Sequence, residues 1–341
     1  MHSHLRRTIL TSVKFVLAAG ILVYLVFKGR DAFAQLSART IEWPMMVAAL
    51  AFTLVMAAIS YVRWHILIRA LGIEARLVDT LRLGALGFAL NFVSPGSIGG
   101  DFFKAIFLAH GHPGRRPEAI ATVIIDRVMG LLTMLLLASV GILAVGLLKT
   151  ATPNLKIFYE MILLSSAALT STCLLFLAIP ALTGPVVIGW AHRIPIVGRA
   201  IARMLATVPV YRTQKWKLVV AFALSIVMSL FYVSSYYLVA RGLPIQAPSW
   251  SEHLVIVPTA GLVGAVPLTP NGLGTTELAI DELYKRMPGV QVSPGDGTLV
   301  GIGRRVTDIA VALIGLGFYL SHRREVSEVF AEAEQVADGE E

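Results

Sequence analysis

The stretch from Asn91 to Lys104, Asn-Phe-Val-Ser-Pro-Gly-Ser-Ile-Gly-Gly-Asp-Phe-Phe-Lys, most restricts what this chain can become. It sits inside a long apolar region, yet it cannot be one continuous helix. Pro95 removes a backbone donor, and Gly96, Gly99 and Gly100 weaken the helix around it. Asp101 and Lys104 bring charge to the same place, three residues apart and so on one helical face. In hydrocarbon, freed backbone groups and charges are tolerated only where protein or a water-filled cavity satisfies them. The stretch therefore predicts a broken, re-entrant element lining a polar site inside a membrane. A kinked helix that only packs is the alternative, and it has no need of Asn91, Asp101 and Lys104.

The setting supports a membrane. Of 341 residues, 56% are hydrophobic and 15% charged, against about 25% charged in soluble domains; the mean hydropathy is +0.74. The expectation is an all-α membrane protein. The lone cysteine, Cys173, rules out an internal disulfide. The net charge of +8 lies beside apolar runs, where Lys and Arg set topology and attract anionic headgroups. Nucleic-acid binding is excluded on that placement.

Six runs read as full spans: Ser12 to Lys28, Trp43 to Trp64, Ala119 to Leu148, Ile157 to Ile179, Leu218 to Ala240 and Leu299 to Leu320. The first has a signal peptide as its rival, since Ala32-Phe33-Ala34 resembles a cleavage site, but Lys28, Arg30 and Asp31 intervene. Two broken elements, 80–110 and 251–287, do not cross. The first is flanked on both sides by arginines (Arg76 and Arg82, Arg115 and Arg116), so it dips in and returns to the cytoplasm. Between them, 181–217 carries Arg193, Arg199, Arg203, Arg212, Lys215 and Lys217. Its piece Val197 to Val208 reads either as an interfacial helix on anionic lipid or as a solvated basic loop that fixes topology. The tail 325–341 is acidic. Basic flanks place both termini in the cytoplasm, in the cytoplasmic (inner) membrane.

The two broken elements match each other. Ser94-Pro95 corresponds to Thr269-Pro270, Ile98-Gly99 to Leu273-Gly274, and Asp101 to Glu277. Each precedes a span with Arg and Asp near its start: Asp126-Arg127, then Arg304, Arg305 and Asp308. The chain thus reads as two inverted halves, 1–150 and 151–324, each of two spans, a hairpin and a span. Paired Pro/Gly-interrupted segments in inverted halves point to a transport site at the midplane.

Arg127, Arg304 and Arg305 suit phosphate oxygens, because guanidinium stays charged and presents a planar fork. Helices starting near Gly99-Gly100 and Gly274-Thr275 would aim backbone donors at the same anion. Asp101 and Glu277 are placed to pair with the arginines of an unloaded site. Asn91 and Asn271 suit a headgroup or a freed carbonyl. Lys104 completes the binding set. Asp126 and Asp308 read as internal ion pairs that hold the halves together. Asp281 and Lys285 form an i,i+4 pair that reads as structural. His110 and His112 have no Cys or carboxylate at ligand spacing, so no metal is predicted, and no cofactor motif appears.

On Asn91…Ser94-Pro95-Gly96…Gly99-Gly100-Asp101…Lys104, Asp126-Arg127…Gly130 and Pro267…Thr269-Pro270-Asn271-Gly272…Gly274…Glu277, the chain resembles the lysylphosphatidylglycerol synthase transmembrane-region family of flippase-like membrane proteins. In multidomain relatives this region precedes a soluble aminoacyl-transferase domain and is associated with moving a charged lipid between leaflets. The resemblance implies a stand-alone member that does not aminoacylate lipid. Lys104 stands where relatives often carry Arg. The functions left open are three. One is a transporter of an anionic, phosphate-containing lipid or lipid-linked precursor. The second is a membrane-embedded enzyme using Asp101 and Glu277 as acid and base. The third is a non-transporting partner of a lipid-modifying enzyme.

Overall fold

In the computed structural model, the residues described are 40–93, 99–195, 198–266, 268–288 and 290–321, with isolated positions 20, 23, 24 and 27. Among them every regular element is helical. Apart from those four positions, the predicted span Ser12 to Lys28 lies outside the described residues, as do the break at 94–98, Pro267 and the acidic tail.

Ten helices carry the fold: α1 (Trp43–Ala70), α2 (Leu77–Val93), α3 (Gly99–His110), α4 (Arg116–Val145), α5 (Pro153–Ala178), α6 (Gly198–Thr213), α7 (Lys215–Gly242), α8 (Trp250–Ala265), α9 (Thr275–Tyr284) and α10 (Asp296–Ser321). Short helical turns fill 147–150 and 185–192. Four helices, α1, α4, α5 and α7, are long and apolar enough to cross a membrane. The predicted sixth span corresponds to α10, which has 26 residues but carries Arg304, Arg305 and Asp308, and it does not reach that apolarity. Much of α5 is bare: Ile157, Met161, Leu164 and Leu174 are more than half exposed, as a lipid-facing helix requires.

Both predicted breaks fall between paired helices that fold back on each other. In the first pair, Leu86 on α2 packs with Phe103 on α3, and the Gly100 amide on α3 donates to Asn91 on α2 at 2.9 Å. In the second, His253 near the start of α8 meets the Tyr284 hydroxyl at the end of α9 at 2.7 Å. Gly264 and Gly272 lie against Thr276.

Packing among eight helices is reciprocal. Exchanging α1 with α7, α2 with α8, α3 with α9 and α4 with α10 maps the set of packed pairs onto itself: α4 lies on α8 as α10 lies on α2. The exchanged pair α1 and α7 is antiparallel. The Glu42 amide donates to the Gly242 carbonyl at one end (2.9 Å), and Lys217 reaches the Arg69 carbonyl at the other (3.1 Å). The core runs along α4, α7, α8 and α9 through Ala138, Ile142, Val233, Val239, Val255 and Ile280.

The predicted amphipathic piece is helical and longer than expected, running on through Pro209 to Thr213. It is not simply a surface strip, because Ala202 and Leu205 pack with Ala191 and the partly buried Phe176 and Val187. Arg212 donates to the carbonyls of Phe176, Leu177 (3.1 Å) and Ile179 (2.9 Å) at the C-terminus of α5. A cation there satisfies orphan carbonyls and the helix dipole. Arg212→Ala is expected to destabilise the detergent-solubilised protein by about 1–3 kcal/mol, read as a lowered thermal midpoint. An unchanged midpoint would show that the cap contributes nothing.

Candidate functional site

A cavity of about 560 Å³ lies where the two helix pairs approach each other. The first half supplies Arg63, Asn91, Asp101, Lys104, Asp126 and Arg127 to its wall. The second supplies Asn271, Thr276, Arg304, Arg305 and Asp308. Met56, Phe88, Ile124, Leu131, Met134 and Met228 add apolar wall, beside Ser60, Ser229, Tyr61, Tyr232 and Tyr236. Every sequence-predicted site residue except Glu277 lines this one space, and Glu277 stands directly behind Arg305.

The geometry grows from the breaks. After the first, α3 begins at Gly99, which puts Asp101 in its first turn, where a carboxylate suits the positive helix end. Asp101 is buried and accepts from Lys104 at 3.1 Å and from Arg127 on α4. The Lys104 ammonium also lies 5.5 Å from the centre of the Trp64 ring, a cation–π placement. The second break repeats the scheme. Asn271 takes φ 47°, Gly272 φ 64° and Gly274 φ 83°, with extended Leu273 between the last two; glycine tolerates such positive φ best. The chain then enters α9 at Thr275. Glu277, nearly fully buried, accepts from the Gly274 amide at 2.7 Å and from Arg305 on α10 at 2.6 Å. Each hairpin acid therefore holds the arginine of the span that follows it.

The two pairs differ in access. The Arg127 side chain is 55% exposed and that of Arg305 is 14% exposed. The predicted helix-end donors are partly committed within the protein. Asn91 takes the Gly100 amide and Glu277 takes the Gly274 amide, so these two N–H groups do not point at an anion.

Asp126 accepts from Arg63 Nε at 2.9 Å, and Arg63 also donates to Ser225 at 2.9 Å. Asp308 accepts from Arg304. Both predicted ion pairs exist, but neither joins the halves: Arg63 and Asp126 lie in the first, Arg304 and Asp308 in the second. The link across is made by hydrogen bonds such as Arg63 to Ser225 and Thr53 to Thr307 (3.3 Å). Arg304 is 1% exposed. It donates to Ser235 (2.9 Å) and Thr307 (3.0 Å), and its guanidinium lies 5.6 and 5.4 Å from the centres of the Tyr232 and Tyr236 rings. That environment holds Arg304 as a structural post in the cavity wall.

Arg63 was not among the sequence-predicted site residues. It stands beside Trp64, where an interfacial charge is ordinary. No local signal marks it: α1 runs on past Trp64 to Ala70, and Arg63 is enclosed by Asp126 and Ser225 from other helices. Asp281 and Lys285 pair as predicted, and Asp281 also accepts from the Gly295 amide at 2.9 Å, away from the cavity. His112 is taken up by the carbonyls of Leu108 and Glu74.

The glycines at the hairpin contact permit its closeness. A Cβ on Gly100 would land on the Gly87 carbonyl. Gly100→Ala is expected to cost about 1–3 kcal/mol through overpacking. It should also push α2 from α3, measurable as a lower thermal midpoint than that of Gly114→Ala, whose Cβ meets open space. Equal midpoints would contradict the contact.

A family model described as "Lysylphosphatidylglycerol synthase TM region" matches residues 11–315. Among curated proteins, none matches the chain.

Proposed function

Since the chain belongs to the lysylphosphatidylglycerol synthase TM region family and is an integral membrane protein, we propose that it moves an anionic, phosphate-containing lipid between leaflets. In this reading six spans and two re-entrant hairpins form an inverted repeat, and the hairpins meet at mid-bilayer. The reciprocal packing and the antiparallel α1 and α7 support the inversion, because an axis in the membrane plane reverses each element it exchanges.

One observation carries the functional reading: the cavity is two-natured. Arginines from both halves, each held by an acid, face the same space as a methionine- and leucine-lined wall. A soluble anion has no use for the apolar wall, whereas a lipid needs both. Arg127 and Arg305 hold the headgroup phosphate and exchange Asp101 and Glu277 for it. The charge-assisted pair already formed lowers the cost of desolvating the arginine before substrate arrives. Acid–base catalysis by Asp101 and Glu277 is disfavoured because both carboxylates are already engaged, Asp101 by Lys104 and Arg127 and Glu277 by Arg305 and the Gly274 amide. The test is reconstitution into liposomes with a fluorescent anionic phospholipid and a membrane-impermeant quencher. Protein-dependent loss of protected fluorescence is expected. No difference from empty liposomes would refute transport.

A further inference from the structure

The seam between α4 and α8 opens progressively toward the cavity. The helices run antiparallel with a steady register: Gly141 lies against Leu254 and Val255, and Gly261 lies against Met134. At Gly141 there is no room, since an added Cβ would sit 2.7 Å from Val255 Cγ2. At Gly261 the space is ordinary, with Met134 Sδ 3.5 Å from where a Cβ would be. At Gly130, one helical turn nearer the site, a Cβ would meet nothing within 4 Å. The register sets Gly130 opposite Ala265, and both line the cavity. Around this mouth Leu131, Val263 and Val266 are exposed apolar side chains.

The reciprocal seam, between α10 and α2, is tight around Val311 and Gly315. A Cβ on Gly315 would land on the Ala85 carbonyl, and Val311 is buried among Ala57, Tyr61 and Ala85. Gly315 lies as far beyond Arg305 as Leu137 lies beyond Arg127, so this tight point answers to the close packing near Gly141 on the first seam.

We propose that the α4–α8 seam at Gly130 and Ala265 is a lateral portal that takes the acyl chains of a phospholipid whose headgroup sits in the cavity. This rests on the transporter reading above. The chemistry follows from the lining. A headgroup bound at Arg127 has its diacyl tails pointing along Gly130, Leu131 and Met134, which share the Arg127 face of α4 at helical spacing. Tails there stay in contact with apolar side chains and bilayer, so transport does not drag them through the charged part of the site. Gly130 keeps the mouth clear, because any side chain at that position projects into it.

Gly130→Trp tests the portal, with Gly189→Trp as control, since Gly189 also faces open space but lies far along the chain on the 185–192 turn. Each variant is reconstituted with phosphatidylglycerol bearing a photoactivatable acyl chain, and both transport and labelled peptides are read. The expected result has three parts. The unmodified protein transports lipid and is labelled on peptides containing 130–134 and 261–266. Gly130→Trp loses both transport and that labelling while α5 stays labelled. Gly189→Trp behaves like the unmodified protein. Portal labelling or transport that survives Gly130→Trp overturns the portal and leaves the transporter reading intact. An unmodified protein that moves no lipid, yet is labelled at the seam, overturns the transporter reading instead. If Gly130→Trp fails to fold, Gly130→Leu with Ala265→Leu fills the same mouth with smaller side chains and is read the same way.

Discussion

Arg305→Ala, made together with Glu277→Gln, is expected to fold like the unmodified protein and to transport lipid roughly 10–100-fold more slowly, the equivalent of one charge-assisted hydrogen bond of about 1.5–3 kcal/mol. The double change matters. Glu277 is buried and bonded to Arg305, so Arg305→Ala alone leaves an uncompensated carboxylate and confuses stability with function. Glutamine keeps the Oε that accepts the Gly274 amide and removes the charge. Arg127→Ala needs no such partner change for folding, because Asp101 keeps Lys104; its transport defect is expected to be of the same order. Lysine at either position keeps charge and loses the fork, and should fall between. Initial rates in liposomes, normalised to folded protein by size-exclusion recovery, decide the matter. Full rates in both alanine variants would remove the arginines from the mechanism.

Arg304→Ala is expected to be the most damaging single change to stability. Its guanidinium touches Ser235, Thr307, Asp308 and two tyrosine rings, and it is closed off from solvent. Removing one member of a buried charge pair typically costs about 3–5 kcal/mol, much of it from the abandoned partner. Arg304→Met with Asp308→Leu should recover most of that loss, since packed apolar groups can replace a buried pair at little cost. Thermal unfolding in detergent measures both. If the single and double variants melt together, the partner charge is not the source of the damage.

The residues themselves announced the hairpins more clearly than the spans. Pro270, Gly272 and Gly274 lie between the end of α8 at Ala265 and the start of α9 at Thr275, where the sequence pattern puts the break, because proline and glycine act locally through the backbone. The acids were legible for the same reason: Asp101 and Glu277 sit a fixed distance after each break, in the first turn of the new helix. Their arginine partners were legible as a recurrence and as expected pairs, though which acid takes which arginine, across 26 and 28 positions of chain, was not. Arg63 was illegible because its burial depends on α7 closing over it with Ser225, a tertiary fact with no local mark. The same holds for Arg304, whose tyrosine neighbours come from α7. The committed N–H groups of Gly100 and Gly274 needed side-chain geometry that spacing does not contain.

The antiparallel α1 and α7 are pinned at both ends by Glu42–Gly242 and Lys217–Arg69, and between them by Arg63–Ser225. A pair fastened in three places behaves as an axle. Any rocking that shuts one seam and parts the other must turn about it, carrying α2–α3 and α4 one way and α8–α9 and α10 the other. Spin labels on α1 and α7 should then report one fixed spacing throughout a turnover cycle, while labels on α4 and α8 report two.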